Sequence, residues 1–137
     1  MALAVLLALP ARADDGDNGG GGGKAPKHKL TQAESYLMID PIYSAVMDND
    51  RPVGMLMIGV GVDIPDAKLR GEALHAMPVL RDAYVRNLMS FSTTFVHPDR
   101  QPDVTRIADR LQGVTDRVLG RKGARLLLAQ VAVRISK

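Results

Sequence analysis

The sequence has no cysteine and no tryptophan, and only two phenylalanines and three tyrosines among its 137 residues. Without thiols there are no disulfides, no thiolate chemistry and no cysteine-held metal. Either side of a membrane still fits, because an oxidising compartment permits disulfides without requiring them. Few aromatic rings mean that a core has to be built from Leu, Val, Ile, Met and Ala. A strong charge of one sign is also missing. The formal net charge is +3, with Lys and Arg interleaved with Asp, so the balance alone does not call for nucleic acid. Hydrophobic residues make up 46%, enough for a core, and the length has room for one domain and a tail.

Residues 2–9 form an apolar run, closed by Pro10 and followed by Ala11-Arg12-Ala13 before Asp14-Asp15. Small residues at this spacing are what a signal peptidase reads, so residues 1–13 are expected to be a secretory signal peptide with the mature chain starting at Asp14. The run is too short to span a bilayer, which needs about 20 apolar residues. No basic residue precedes it, and the competing expectation is a truncated N-terminal anchor whose true start lies upstream. Residues 14–29 carry five consecutive glycines and the basic stretch Lys24-Ala25-Pro26-Lys27-His28-Lys29. Such a stretch has nothing to bury and much backbone entropy to lose, and it reads as a disordered linker.

A single α+β domain is expected over residues 30–137. Residues 36–47 read as a first strand, with Pro41 marking a bulge or an edge because it cannot donate to a ladder. The Asp48-Asn49-Asp50-Arg51-Pro52 cluster turns it into an antiparallel hairpin. Residues 53–64 alternate: Leu56, Ile58, Val60, Val62 and Ile64 share one face, and Met55, Met57, Gly59, Gly61 and Asp63 the other. Pro65-Asp66 stops this strand and caps a helix whose apolar stripe is Leu69, Ala73, Met77, Leu80, Tyr84, Leu88 and Phe91. Pro78 predicts a kink in that helix, or a second helix starting there. After an irregular connection, Asp103 caps a helix with Val104, Ile107, Leu111, Val114 and Val118 on one side, ended by Gly120. A last strand follows, with Leu127, Ala129, Val131, Val133 and Ile135 on its apolar face and pairing expected with the central strand. The pattern predicts a two-layer sandwich in the order β-β-α-α-β, with a sheet of about three strands.

No catalytic, cofactor or metal site is expected. His28, His75 and His97 are scattered over the linker, a helix and a loop, without zinc spacing. Asp48, Asp50 and Asp63 lack the glycine and glutamate of a calcium loop, and tight-turn chemistry explains the first two better. Gly59-Val60-Gly61 resembles a piece of a phosphate loop but sits inside a strand, where close packing on that face is the simpler explanation. Met38, Met47, Met55, Met57, Met77 and Met89 fall at or beside apolar positions and are expected to fill the core, in preference to a soft-metal site or a promiscuous groove. Arg106, Arg110, Arg117 and Arg121, interleaved with Asp109 and Asp116, read as a solvated face. The rival readings are a small hydrolase using His97 and Asp99, and a polyanion-binding module using residues 24–29 with the arginine face.

The Asp40-Pro41-Ile42 strand, the hairpin into an alternating strand ending Val62-Asp63, the Met77-Pro78-Val79-Leu80-Arg81-Asp82-Ala83 helix start and the closing Val131-Ala132-Val133 strand together resemble the FliL family of flagellar basal-body-associated proteins, over residues 36–137. The resemblance implies a fold similar to the stomatin-like fold of the FliL periplasmic domain. It implies a non-enzymatic accessory protein of the flagellar motor that forms homo-oligomers and sits by stator or basal-body proteins. The place implied is the periplasm, or the periplasmic face of the inner membrane if the N-terminus is an uncleaved anchor; nucleic acid is not an expected partner. Family members carry an N-terminal transmembrane helix behind a basic start, where this chain has the short run of residues 2–9. The alternative is a secreted periplasmic binding or adaptor domain of the same fold with no flagellar role.

Overall fold

Asp48 and Arg51 face one another across a turn in which Asn49 and Asp50 take positive φ, 50° and 64°. Asn and Asp tolerate the left-handed region better than most side chains, and consecutive residues there give the turn whose twist matches antiparallel strands. This turn sets the register of the hairpin between β1 (Tyr36–Asp48) and β2 (Arg51–Asp63). The computed structural model describes residues 34–136. The expected signal or anchor segment, the linker and the expected domain start at residue 30 all lie outside the described residues. From Ser35 onward the chain forms one compact unit.

Three helices follow the hairpin: α1 (Ala67–His75), α2 (Met77–Phe95) and α3 (Val104–Leu119). β3 (Arg125–Ile135) then pairs antiparallel with the free side of β2, giving a three-stranded sheet in the order β1-β2-β3. The class is α+β, and the sequence of elements is β-β-α-α-α-β. It has one helix more than the five-element order because Pro78 divides the stripe. Ala76 ends α1 by donating to the Glu72 carbonyl at 2.9 Å and also caps α2, which places Pro78 in the first turn. There a missing N–H takes no bond away from the helix. The other ends are fixed as the side chains dictate. Asp66 accepts from the Leu69 N–H at 2.8 Å and Asp103 from the Arg106 N–H at 3.0 Å. Gly120 ends α3 at φ 76°, where a side chain would be strained.

The core lies between one face of the sheet and the helices. Leu56, Ile58, Val60 and Val62 of β2 are buried together with Leu80, Tyr84, Leu88 and Phe91 of α2 and Ile107, Leu111 and Val114 of α3. Three stripe positions depart from the expected core. Met77 and Val118 are only half-buried, and Val104 is exposed because α3 reaches the core from Ile107 onward. Hydrogen bonds pin the layers together. Ser92 Oγ donates to the Ala45 carbonyl at 2.6 Å. The Gln112 amide donates to the Ala124 carbonyl at 2.7 Å and accepts from the Leu126 N–H at 2.8 Å, tying α3 to the start of β3.

The faces of β3 differ from the expected alternation. Val60 pairs with Leu128 and Gly59 with Gln130, which leaves Ala129 as an extra residue in a bulge. One extra residue reverses the alternation. Leu126 and Leu128 therefore share the helix-facing side with Val131, Val133 and Ile135. Leu127, expected on that side, is in register with Gly61 on the other.

The helix-free sheet face as candidate functional site

The second face of the sheet has no layer over it among the described residues. The residues in register on it are Met55, Met57, Gly59, Gly61 and Asp63 of β2, Tyr36, Met38, Tyr43 and Ala45 of β1, and Leu127, Gln130, Ala132 and the two flanking arginines of β3. Apolar and aromatic side chains dominate, and several are open to water: Met38 is 75% exposed, Tyr43 56% and Met55 48%. Met57 and Leu127 are half-buried. The expectation that the methionines fill the core therefore fails. Met38, Met55 and Met89 are exposed, and Met47, Met57 and Met77 are half-buried. Period-two alternation assigns residues to a face but says nothing about whether a second layer covers it.

Both glycines of Gly59-Val60-Gly61 lie on this face, and they act differently. A Cβ on Gly61 would collide with the ring and hydroxyl of Tyr36, so the glycine lets the tyrosine lie flat across β2. Close packing on that face, as expected from the sequence, is the explanation for Gly61. At Gly59 both edge strands are interrupted. Asp40 and Pro41 together stand opposite it on β1, and the Ala129 bulge adjoins it on β3. Pro41 thus occupies both a bulge and an edge.

The other candidate groups are accounted for locally. His75 ends α1, and His97 is exposed in the connection after α2, where its carbonyl accepts from the Arg100 N–H at 3.3 Å. Asp99 lies 3.9 Å from the Arg100 guanidinium, an exposed pair of small energetic weight. Asp48 and Asp50 belong to the hairpin turn. Among the described residues no group of three or more His, Asp or Glu could hold a metal ion. The arginine series is also distributed. Arg106 stacks 4.8 Å over the Phe95 ring, and Arg121, past the end of α3, lies 3.5 Å from Asp66 and 3.6 Å from Glu72.

The buried phenol of Tyr84 is held at its hydroxyl by Thr115, whose own proton goes to the Leu111 carbonyl at 2.7 Å. Thr115 has one hydrogen to give, so Tyr84 donates. Burial pushes the Tyr84 phenol up to about 12, and nearby Asp116 pushes in the same direction. It stays protonated at any physiological pH and acts as a structural donor.

The chain matches no protein-family model and no curated protein. No helix among the described residues is long and apolar enough to cross a membrane. Two of the stretches that carry the family resemblance do meet in space. Arg81, in the Pro78-to-Ala83 segment that opens α2, donates to the Pro41 carbonyl of the β1 bulge at 3.3 Å. The arginine thus ties the opening of α2 to the β1 bulge. The helix-free face was missed by sequence reasoning, although β2 carries a signal of it. Between Val53 and Val62 neither of its alternating sets contains a charged residue, as expected of a strand meant to be covered on both sides.

Proposed function

We propose that this protein is a non-catalytic accessory protein of the flagellar motor that works by binding, self-associating in the periplasm beside the stator, as the resemblance to the FliL family implies. Its stomatin-like arrangement belongs to the same reading. The observation that carries the binding role is the helix-free sheet face, with Met38, Tyr43 and Met55 exposed on it. Apolar side chains gathered on one face of a small domain favour a partner surface over water. Methionine suits such a surface, because its unbranched thioether adapts to what it meets. Support for the flagellar setting comes from the sequence resemblance. Function would then be positional: the domain holds a neighbour in place and transforms nothing.

Deletion in a motile host tests this reading, with swimming speed and swarming as readouts and flagellar number as the control. The expected result is impaired motility with a normal number of flagella, restored by the full-length gene. Unchanged motility overturns the flagellar role.

A further inference from the structure

The helix-free face can be matched to an occupant by its edges, its charges and its size. Edge-on pairing meets an interrupted ladder on both sides, because Asp40-Pro41 bulges out of β1 and Ala129 out of β3. Bulges and proline are the devices that blunt sheet edges. The face between the edges is mostly apolar, through Met38, Tyr43, Met55, Met57, Leu127 and Ala132, with the polar Gln130 level with Gly59.

We propose that this face is a two-fold interface with a second copy of the chain. Two helix-free sheets pack together about an axis parallel to β2, giving a helix–sheet–sheet–helix sandwich. The proposal rests on the reading of the domain as a self-associating module and identifies the surface it uses.

Charge selects the axis. On this face β3 carries Arg125, level with Asp63, and Arg134, level with Met55; β1 carries Tyr36, level with Asp63, and Tyr43, level with Met57. An axis parallel to β2 lays β1 of one copy over β3 of the other with levels preserved. Tyr36 then faces Arg125, and the stretch from Tyr43 to Ala45 faces Arg134, so that guanidinium groups meet aromatic rings. An axis across the strands, centred on Gly59, lays β3 over β3 and sets Arg125 against Arg134, which is repulsive. In the favoured arrangement Met57 meets Met57 and Gly59 meets Gly59 on the axis. Asp63 also meets its own copy, at the end of β2. It is level with Arg125 and takes the Ser35 hydroxyl at 2.7 Å.

The size is sufficient. Strands of 13, 13 and 11 residues, at a rise of about 3.3 Å and a spacing of about 4.8 Å, make a face of roughly 40 by 14 Å. Two such faces bury about 1,100 Å², just above the ~1,000 Å² of a specific interface, which points to weak, concentration-dependent pairing.

The absence of cysteine makes the test clean. Packed sheets lie ~10 Å apart, too far for a direct disulfide, so a short bis-maleimide of about 8 Å span is the right probe. In the full-length chain Met57→Cys is expected to cross-link to its own copy. Tyr43→Cys mixed with Ala132→Cys is expected to give the mixed dimer, and Asp109→Cys on the exposed side of α3 to give none. Sedimentation at about 100 µM should show a dimer that Met57→Glu weakens by about a hundredfold. Circular dichroism of that variant separates lost pairing from lost folding. A monomer at that concentration, with Met57→Cys no more cross-linked than Asp109→Cys, overturns the interface; a motility defect alongside it would leave the accessory role standing. Tyr43→Cys linking to its own copy and not to Ala132→Cys overturns the parallel axis. An oligomer indifferent to Met57→Glu in a folded chain overturns the face while preserving self-association.

Discussion

β2 presents two faces from one stretch of backbone, and they are built from different chemistry. Leu56, Ile58, Val60 and Val62 point to the helices and are at most 2% exposed, while Met55, one residue before Leu56, is 48% exposed. Both sets are apolar, so hydrophobicity alone does not separate them. Shape does. The covered face is branched and, apart from Leu56, stiff at χ1, suited to a fixed partner that folding always supplies. The helix-free face is methionine and glycine, with tyrosines from β1 leaning in, suited to a partner that comes and goes. The two sides of a single strand carry different residues, one set packed under the helices and the other without a layer among the described residues.

The largest expected effect contrasts two neighbours. Ile58→Ala removes a fully buried side chain facing the helices and is expected to destabilise the fold by about 2–5 kcal/mol. Met57→Ala, on the half-buried opposite side, is expected to cost the monomer about 1 kcal/mol or less. Urea denaturation at a concentration low enough to hold the chain monomeric measures both. Equal losses would mean that the second face is already covered within one chain, and the comparison would collapse.

The covered layer carries a further mark in Tyr84, whose phenol is pushed up to about 12 by burial. The unfolded phenol ionises near pH 10. Below that pH both states keep the proton and the full stability is present. Above it the unfolded chain releases the proton first, so stability falls as pH rises from about 10 towards 12, by roughly 1.4 kcal/mol per unit and about 2–3 kcal/mol in all. Denaturant titrations in steps from neutral pH to about pH 11 should show this slope in the parent and a flatter one in Tyr84→Phe. Parallel slopes would mean that the phenol is not sealed beneath the helices.

Much of this arrangement is legible in the sequence because single residues specify it. Asn49-Asp50 forces the hairpin, Asp66 and Asp103 start helices, Gly120 stops one, and Pro78 opens another. What was misread needed information from outside each element. The alternation of β3 fails at Ala129, where an alanine among leucines gives no local sign of a bulge. The methionines look like core because their spacing is that of core residues, and only the packing reveals that the three helices of the described residues fall on one side. The candidate site was hidden for the same reason. An apolar face is visible in a sequence, but whether a layer covers it depends on how the elements pack.

The smallest effect lies within the helix-free face and asks whether that surface is ordered before any partner arrives. Tyr36 lies over Gly61, and a Cβ at residue 61 would collide with its ring and hydroxyl. Tyr36 is only half-buried and near the start of β1, so the ring has open space into which it can turn. Gly61→Ala should therefore cost about 1 kcal/mol, less than an overpacked core site, where nothing can give way. The conflict belongs to the pair. With Tyr36→Ala already made, the added methyl meets no ring, and Gly61→Ala should be neutral or slightly stabilising, because alanine loses less backbone entropy than glycine on folding. A double-mutant cycle by urea denaturation is expected to return a coupling of about 1 kcal/mol. Zero coupling would mean that the tyrosine does not rest on the glycine in solution. The face would then be loose at that corner, and the level match between Tyr36 and Arg125 of a second copy would lose its basis.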